Sequence, residues 1–222
     1  MILELKFKSV LLPAYNSSNS YQKMPLFNIL SDLCGHPSYK MLTCRSLPQF
    51  NPQKSSFQQY STDLMLKYLH QLNHTGIYDQ KLTSSDLFLG KFNENAGNLN
   101  FKQCSNYCFA RSVYIRGRDA KGTNVSLLNE DSQYSNYLSP SLRFNNYWSP
   151  RGIKKFENFA TSLSNDQSYL QQVDNVVDKS WMMFNNNGYI HNYSKYNIEK
   201  EDFLTAFSQT EQIIHSYKSL SQ

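Results

Sequence analysis

Four cysteines and five histidines are the residues of this 222-residue chain best suited to hold a metal or attack a carbonyl. Cys34 and Cys44 stand ten positions apart and Cys104 and Cys108 four, and neither is the C-x-x-C spacing of a zinc site. They are expected to be ordinary, partly buried thiols in a reducing compartment, where disulfides are disfavoured. His70 and His74 fall one helical turn apart in HQLNH, which could chelate a metal, yet no carboxylate or third ligand adjoins them. No Ser/His/Asp or Cys/His grouping marks a nucleophile. Glycine totals eight and never clusters, so the chain has neither G-x-x-x-x-G-K-[ST] nor a triple-glycine phosphate cradle. The residues therefore predict no enzyme, no resident cofactor and no metal site.

Charge offers a second kind of chemistry. The formal net charge is +5, and it is unevenly placed: residues 101–155 carry nine Lys/Arg against three acids, residues 161–222 four against seven. A basic middle is compatible with a nucleic-acid surface. Those charges are spread through strand-like and turn-like stretches with no RNP-type or helix-turn-helix motif, so a solvated face or a surface for an acidic protein neighbour is the favoured expectation. With 40% hydrophobic and 14% aromatic residues the chain is globular and can bury a core. No apolar run approaches the roughly 20 residues that span a bilayer, and the first residues lack a signal-peptide layout, so a cytosolic, soluble product with no membrane partner is expected.

The elements that would position these residues are clearest in the last third. Leu170, Val173, Val177, Trp181 and Phe184 recur at steps of three and four, which is one face of a helix. Ser164 and Gln167 form an S-x-x-Q capping box for it, and Asn185-Asn186-Asn187-Gly188 is its stop. A second helix is expected from a cap near Asn197, with Glu199, Glu201 and Asp202 in its first turn and Phe203, Phe207, Ile214 and Tyr217 as its stripe. Tyr189, Ile190, His191 and Tyr193 connect the two, which predicts an antiparallel pair. Upstream, residues 25–33 read as a short helix, 39–44 as a buried strand and 61–72 as a helix. Residues 106–117 are the best strand candidate, with Tyr107, Phe109, Val113 and Ile115 on one face. Residues 125–136 are weakly helical, and 156–163 form a last strand. The sum is an α+β chain, a mixed sheet flanked by helices and followed by a terminal helix pair.

The succession WMMF, GYIHNY, IEKEDF and a closing helix resembles the C-terminal region of the tubulin family, where AF-[VL]-HWY precedes GM-[DE]-E-x-EF. Gly188 stands at the alanine position, Tyr189 at the phenylalanine and Asn192 at the tryptophan, while His191, Tyr193, Glu199 and Phe203 keep the family residue type. The wording SNDQSYLQQVDNVVDKSWMMF and YIHNYSKYNIEKEDFLTAF is similar to the delta type of that family more than to the alpha or beta types. Arg116-Gly117 resembles the FRG that ends a core strand there. Within residues 137–148, the resemblance supplies a further strand.

This resemblance implies only the second half of a family member. Residues 1–24 would be the remnant of the central helix and its loop, 25–163 an intermediate-like domain, and 164–222 the helical hairpin. GTP would be expected only in a full-length member. The implied function is structural: tubulin–tubulin contact in the triplet microtubules of centrioles, basal bodies and cilia, with alpha-, beta- or epsilon-tubulin and centriolar proteins as partners. A divergent tubulin such as the epsilon type, or a basic nucleic-acid-binding module, stands as the alternative. An N-x-D-x-x-E run presents the hydrolytic glutamate in alpha-tubulins, and its positions fall here on Lys23, Pro25 and Asn28. An amide cannot take a proton from water, so Asn28 would not replace that carboxylate. The loop 47–60 lies where tubulins make side-to-side contacts, which points to Lys54, Phe57 and Tyr60. Glu199, Glu201, Asp202 and Glu211 remain as an acidic partner surface on the last helix, or simply as dipole-compensating, solvated groups.

Overall fold

The computed structural model describes residues 2–16, 18, 20–21, 24–48, 61–75, 106–154 and 156–221. Lys23, Lys54, Phe57, Tyr60 and Cys104 lie outside the described residues.

Among the described residues five strands make one sheet in the order β1 (Tyr15–Asn16), β4 (Phe144–Ser149), β3 (Cys108–Arg116), β5 (Phe159–Asp166), β2 (Leu42–Leu47). Only β3 and β4 run parallel, and the other pairs are antiparallel, so the sheet is mixed as expected. Helices α1 (Ile2–Leu11) and α2 (Pro25–Leu33) cover one face, and α3 (Thr62–Thr75) with two short 3-10 turns covers the other. The short α4 (Pro140–Arg143) leads into β4. The terminal pair is α5 (Leu170–Asn185) and α7 (Lys200–Lys218), joined through the short α6 (Ile190–Ser194).

Helix α2 spans the predicted residues because Pro25 sits at its first turn, where a missing N–H costs nothing. Helix α1 forms despite poor propensity. It stops two residues before Pro13, and its last carbonyls are claimed by the buried Arg116, whose Nε donates to the Ser9 oxygen at 2.8 Å and whose other nitrogens reach Leu12 and Pro13. Gly117 follows at φ 145°, where a Cβ would lie 2.1 Å from Asn158 Oδ1. Only glycine fits the turn that the Arg-Gly pair makes.

Two strands lie three residues later than their sequence patterns suggest: β2 begins at Leu42 rather than Tyr39, and β5 at Phe159 rather than Phe156. Both shifts have one cause. The polar halves of these strands, Thr43, Arg45, Ser164 and Asp166, are buried and satisfy one another beneath α3. Arg45 Nη1 sits 2.9 Å from Asp166 Oδ2, Thr43 Oγ1 donates to Asp166 Oδ1 at 2.8 Å, and Ser164 Oγ donates to Asp166 at 2.6 Å. Asn73 of α3 and Ser168 complete the cluster. Ser164 is therefore a buried strand residue, not a helix cap. The cap is Asp166, whose side chain accepts from the Ser168 N–H at 3.0 Å.

All nine residues of β3 are buried, not one alternating face. A register shift between Cys108 and Ala110 turns Phe109 toward the α2 side, while Val113 and Ile115 pack under α3 with Met65, Leu66 and Leu69. The 125–136 stretch condenses into two 3-10 turns, Ser126–Asn129 and Asp131–Gln133, rather than a helix.

Helices α5 and α7 are antiparallel, as Lys218–Asp174 (2.8 Å) at one end and Phe184–Phe203 (5.9 Å between rings) at the other require. The pair does not lie across the sheet. Its contact with the strands is concentrated at the root, where Tyr217 accepts from the Met41 N–H at 2.7 Å and donates to Asn165 Oδ1. Asn165 in turn donates to the Leu33 and Tyr39 carbonyls, so one buried amide ties α2, β5 and α7 together.

Candidate interaction surface on helix α2 and the terminal hairpin

Cys34, Cys44 and Cys108 are free thiols, and burial pushes the Cys108 thiol up to about 12, which removes its nucleophilic form near neutrality. His70 and His74 stand 6.0 Å apart between ring centroids, with His70 Nδ1 against Gln133 Nε2 at 3.1 Å. Burial lowers the His70 imidazole below its ordinary value and favours its neutral form.

The basic middle divides: Arg118, Lys121, Arg151 and Lys154 are exposed, as a solvated face requires, and three arginines are not. Arg111, Arg116 and Arg143 are buried. Arg111 donates to the Leu128 carbonyl at 2.9 Å and to Gln133 at 2.8 Å, and Arg143 pairs with Asp131 while lying 4.7 Å from the Tyr134 ring. Arg116 holds α1. These three guanidiniums serve the interior, because a planar fork can satisfy several carbonyls at once.

What the described surface offers instead is apolar. On α2 and the residue before it, Met24, Leu26, Phe27 and Leu30 are all more than half exposed, whereas Ile29 and Leu33 point into the core. A nine-residue helix that buries two large apolar side chains and exposes three others has an amphipathic pattern with two apolar sides. Pro25 opens this helix and Asn28, half-buried, lines a small cleft with Met24, Phe27 and Tyr147. Asp32, one turn later, accepts from Tyr147 Oη at 2.5 Å. Burial and that carboxylate push the Tyr147 phenol well above its ordinary range. Lys23, Lys54, Phe57 and Tyr60, the other expected contact residues, lie outside the described residues.

The acidic residues of the last helix divide by task. The N-cap is Glu199 rather than Asn197, which takes a left-handed φ of 58°. Glu199 and Asp202 form a reciprocal capping box, with the Glu199 N–H donating to Asp202 at 2.8 Å. Glu211 accepts from Trp181 Nε1 at 2.6 Å, and Glu201 is exposed on the first turn. Trp181, Phe184, Phe203 and Phe207 close the inside of the hairpin, while Val176, Met182, Met183 and Leu204 are exposed on its outside. The first-turn acids were legible from sequence, but their capping role was not, since Asn197 is the expected cap. The apolar outsides of α2 and the hairpin were not legible, because the inward stripe alone explains each periodicity.

No protein-family model matches the chain. Curated relatives do. The chain is similar to the Tubulin delta chain of Macaca fascicularis, 31% identical over 229 residues that take in 99% of this chain and 49% of the relative. The Tubulin delta chain of Homo sapiens (30%, with the same coverages) and that of Canis lupus familiaris (31% over 232 residues) are similar to it as well. The chain thus spans about half the length of the curated relatives it matches. A mixed sheet carrying an aromatic helical hairpin, with apolar surface on its helices, is an α+β arrangement. Over almost its whole length the chain is thus similar to the tubulin family, and within that family to the delta type.

Proposed function

We propose that this chain is the C-terminal half of a delta-type tubulin and acts in the assembly or maintenance of centriolar and basal-body triplet microtubules through contacts with other tubulins. The carrying observation is the likeness to delta chains over almost the whole sequence. The exposed apolar residues of α2, Leu26, Phe27 and Leu30, supply a surface of the right character for such contacts. In this reading residues 1–24, 25–163 and 164–222 are the central-helix remnant, the intermediate-like domain and the hairpin. GTP belongs to a nucleotide domain that these residues do not supply, and this half contributes contact rather than catalysis. Alpha-, beta- or epsilon-tubulin and centriolar proteins are the partners.

A tagged copy of the chain, expressed in ciliated cells, is expected at centrioles and basal bodies and to retain tubulins on affinity capture. Phe27→Asp is expected to lower that retention about tenfold while leaving the circular dichroism unchanged. Diffuse cytoplasmic signal, or retention unaffected by a charge on α2, would overturn the proposal.

Asn28 carries a second, finer part of this reading. With an amide at the position of the alpha-type glutamate, the subunit leaves a stacked partner's GTP unhydrolysed by that route. Asn28→Glu in the full-length protein is expected to raise the partner's turnover; unchanged turnover would refute the assignment.

A further inference from the structure

Beside α2, a cavity of about 530 Å³ opens between the helix end, the turn leading to β2 and the chain before β4. That volume falls in the range of small-ligand sites, about 300–1,000 Å³. Its walls combine aromatic and aliphatic groups with the polar side chains of Ser31, His36 and Asn145. Tyr39 stacks on Phe109 with ring centroids 4.5 Å apart, Tyr137 stands 6.1 Å from Tyr39, and Leu142 borders the opening. Asp32 supplies the acid of this lining.

The Asp32 carboxylate is unevenly used. Oδ2 accepts a short bond from the Tyr147 hydroxyl at 2.5 Å, whereas Oδ1 takes only a long one from Ser31 Oγ at 3.3 Å. A carboxylate has about four acceptor positions, and both partners here are neutral. Among the described residues no Lys, Arg or His forms an ion pair with Asp32. An anion half-withdrawn from water, with no ion-pair partner among the described residues and with several aromatic rings in the same cavity lining, is an arrangement that recognises an organic cation. The carboxylate supplies the charge and one hydrogen-bond acceptor, and the rings supply apolar contact and their negative faces.

We infer that this cavity is a binding site for an organic cation, a guanidinium, amidinium or ammonium carried on a flat or aliphatic body. The group seats its body against Tyr39, Phe109 and Leu142 and points its N–H donors at Asp32 Oδ1. The cation has two possible sources, a free small amine or an arginine side chain of a protein neighbour, and the chemistry is shared. The site does not depend on the cytoskeletal role proposed above, since Phe27, the residue that tests that role, does not line the cavity.

The test titrates benzamidine, and benzamide as its neutral isostere, into the 222-residue chain, followed by tyrosine and phenylalanine ring resonances. Benzamidine is expected to bind at least about tenfold more tightly than benzamide. Asp32→Asn, which keeps an acceptor for Tyr147, is expected to abolish that preference. Leu142→Arg, at an exposed position that leaves Asp32 intact, is expected to weaken benzamidine about tenfold by placing a cation at the mouth, so a folding defect in one variant leaves the other decisive. Phe27→Asp is the unaffected control. Equal binding of the neutral isostere, or a preference that survives in both variants, overturns the site. Substituting N-acetyl-arginine amide for benzamidine assigns the source: tighter binding of the capped arginine supports a protein side chain, and tighter binding of benzamidine supports a free amine.

Discussion

At the scale of single residues, the interior of this sheet contains a buried ion pair among its hydrocarbon. Arg45 and Asp166 are both within 1% of complete burial, so each relies on the other. Truncating one partner of such a pair costs about 3–5 kcal/mol, because a charge is left stranded, whereas replacing both by apolar groups is often neutral. Arg45→Met is accordingly expected to unfold at much lower urea than the parent, and Arg45→Met/Asp166→Leu to regain most of the loss. A double variant as weak as the single would show that the other hydrogen bonds, not the pair, hold the strands. The pH dependence has a definite sign. Burial by itself raises the Asp166 carboxyl, but Arg45, with Ser164 and Ser168, outweighs it and holds the group below the usual carboxylate range. Its contribution is complete above the unfolded value, about 3.9, and is lost as pH falls through the lower folded value. Thermal midpoints of the parent are expected to drop below about pH 4 more steeply than those of the double variant.

At the scale of elements, the hairpin is fastened at its root and free along its length. Tyr217 and Gln167 fix that root, the Gln167 amide donating to the Tyr217 carbonyl at 2.5 Å. The outer half relies on an aromatic cluster that is only partly buried. Segments with few buried contacts open at lower free energy than the global transition. With Trp148 changed to phenylalanine, Trp181 becomes the single tryptophan, and its fluorescence is expected to change at lower urea than the amide exchange of β3. Coincident transitions would mean that hairpin and sheet unfold together. Tyr217→Phe removes the hydroxyl that serves Met41 and Asn165, at a cost of about 1–3 kcal/mol, and is expected to bring the Trp181 transition still earlier. The hairpin was the element most legible in the sequence, since two 3.6-residue stripes with a glycine-containing stop leave little alternative. What hid the sheet edges was polarity. Arg45 and Asp166 fall beyond the predicted strands and Ser164 reads as a helix cap, because a sequence does not reveal that an arginine will meet a Ser/Asp pair more than a hundred residues away and be satisfied by it. The β3 alternation failed for a related reason: a bulge at Cys108 and buried arginines erase the period of two. The cavity beside Asp32 had no sequence signal at all, since its lining comes from four separate stretches.

At the scale of the molecule, the described surface is apolar where the charge pattern pointed elsewhere. Leu26, Phe27 and Leu30 on α2 and Met182 and Met183 on the hairpin are each more than half exposed. Patches of this kind drive association when uncovered. The isolated chain is expected to self-associate at rising concentration, and Leu26→Asp/Leu30→Asp to reduce its light scattering severalfold with unchanged secondary structure. Scattering that persists in this variant would move the sticky surface to the hairpin. One further consequence concerns α1. The three carbonyls that Arg116 grips belong to the last turn of α1 and the bend after it, and the gripping residue terminates the central strand. A load pulling along the axis of α1 therefore reaches the middle of the sheet through side chains, the Arg116 guanidinium beside the Thr161–Ser9 hydrogen bond and the Lys154–Glu4 pair. Arg116 is one rivet of that joint, and a methionine in its place would loosen the rod while the plate behind it stayed whole.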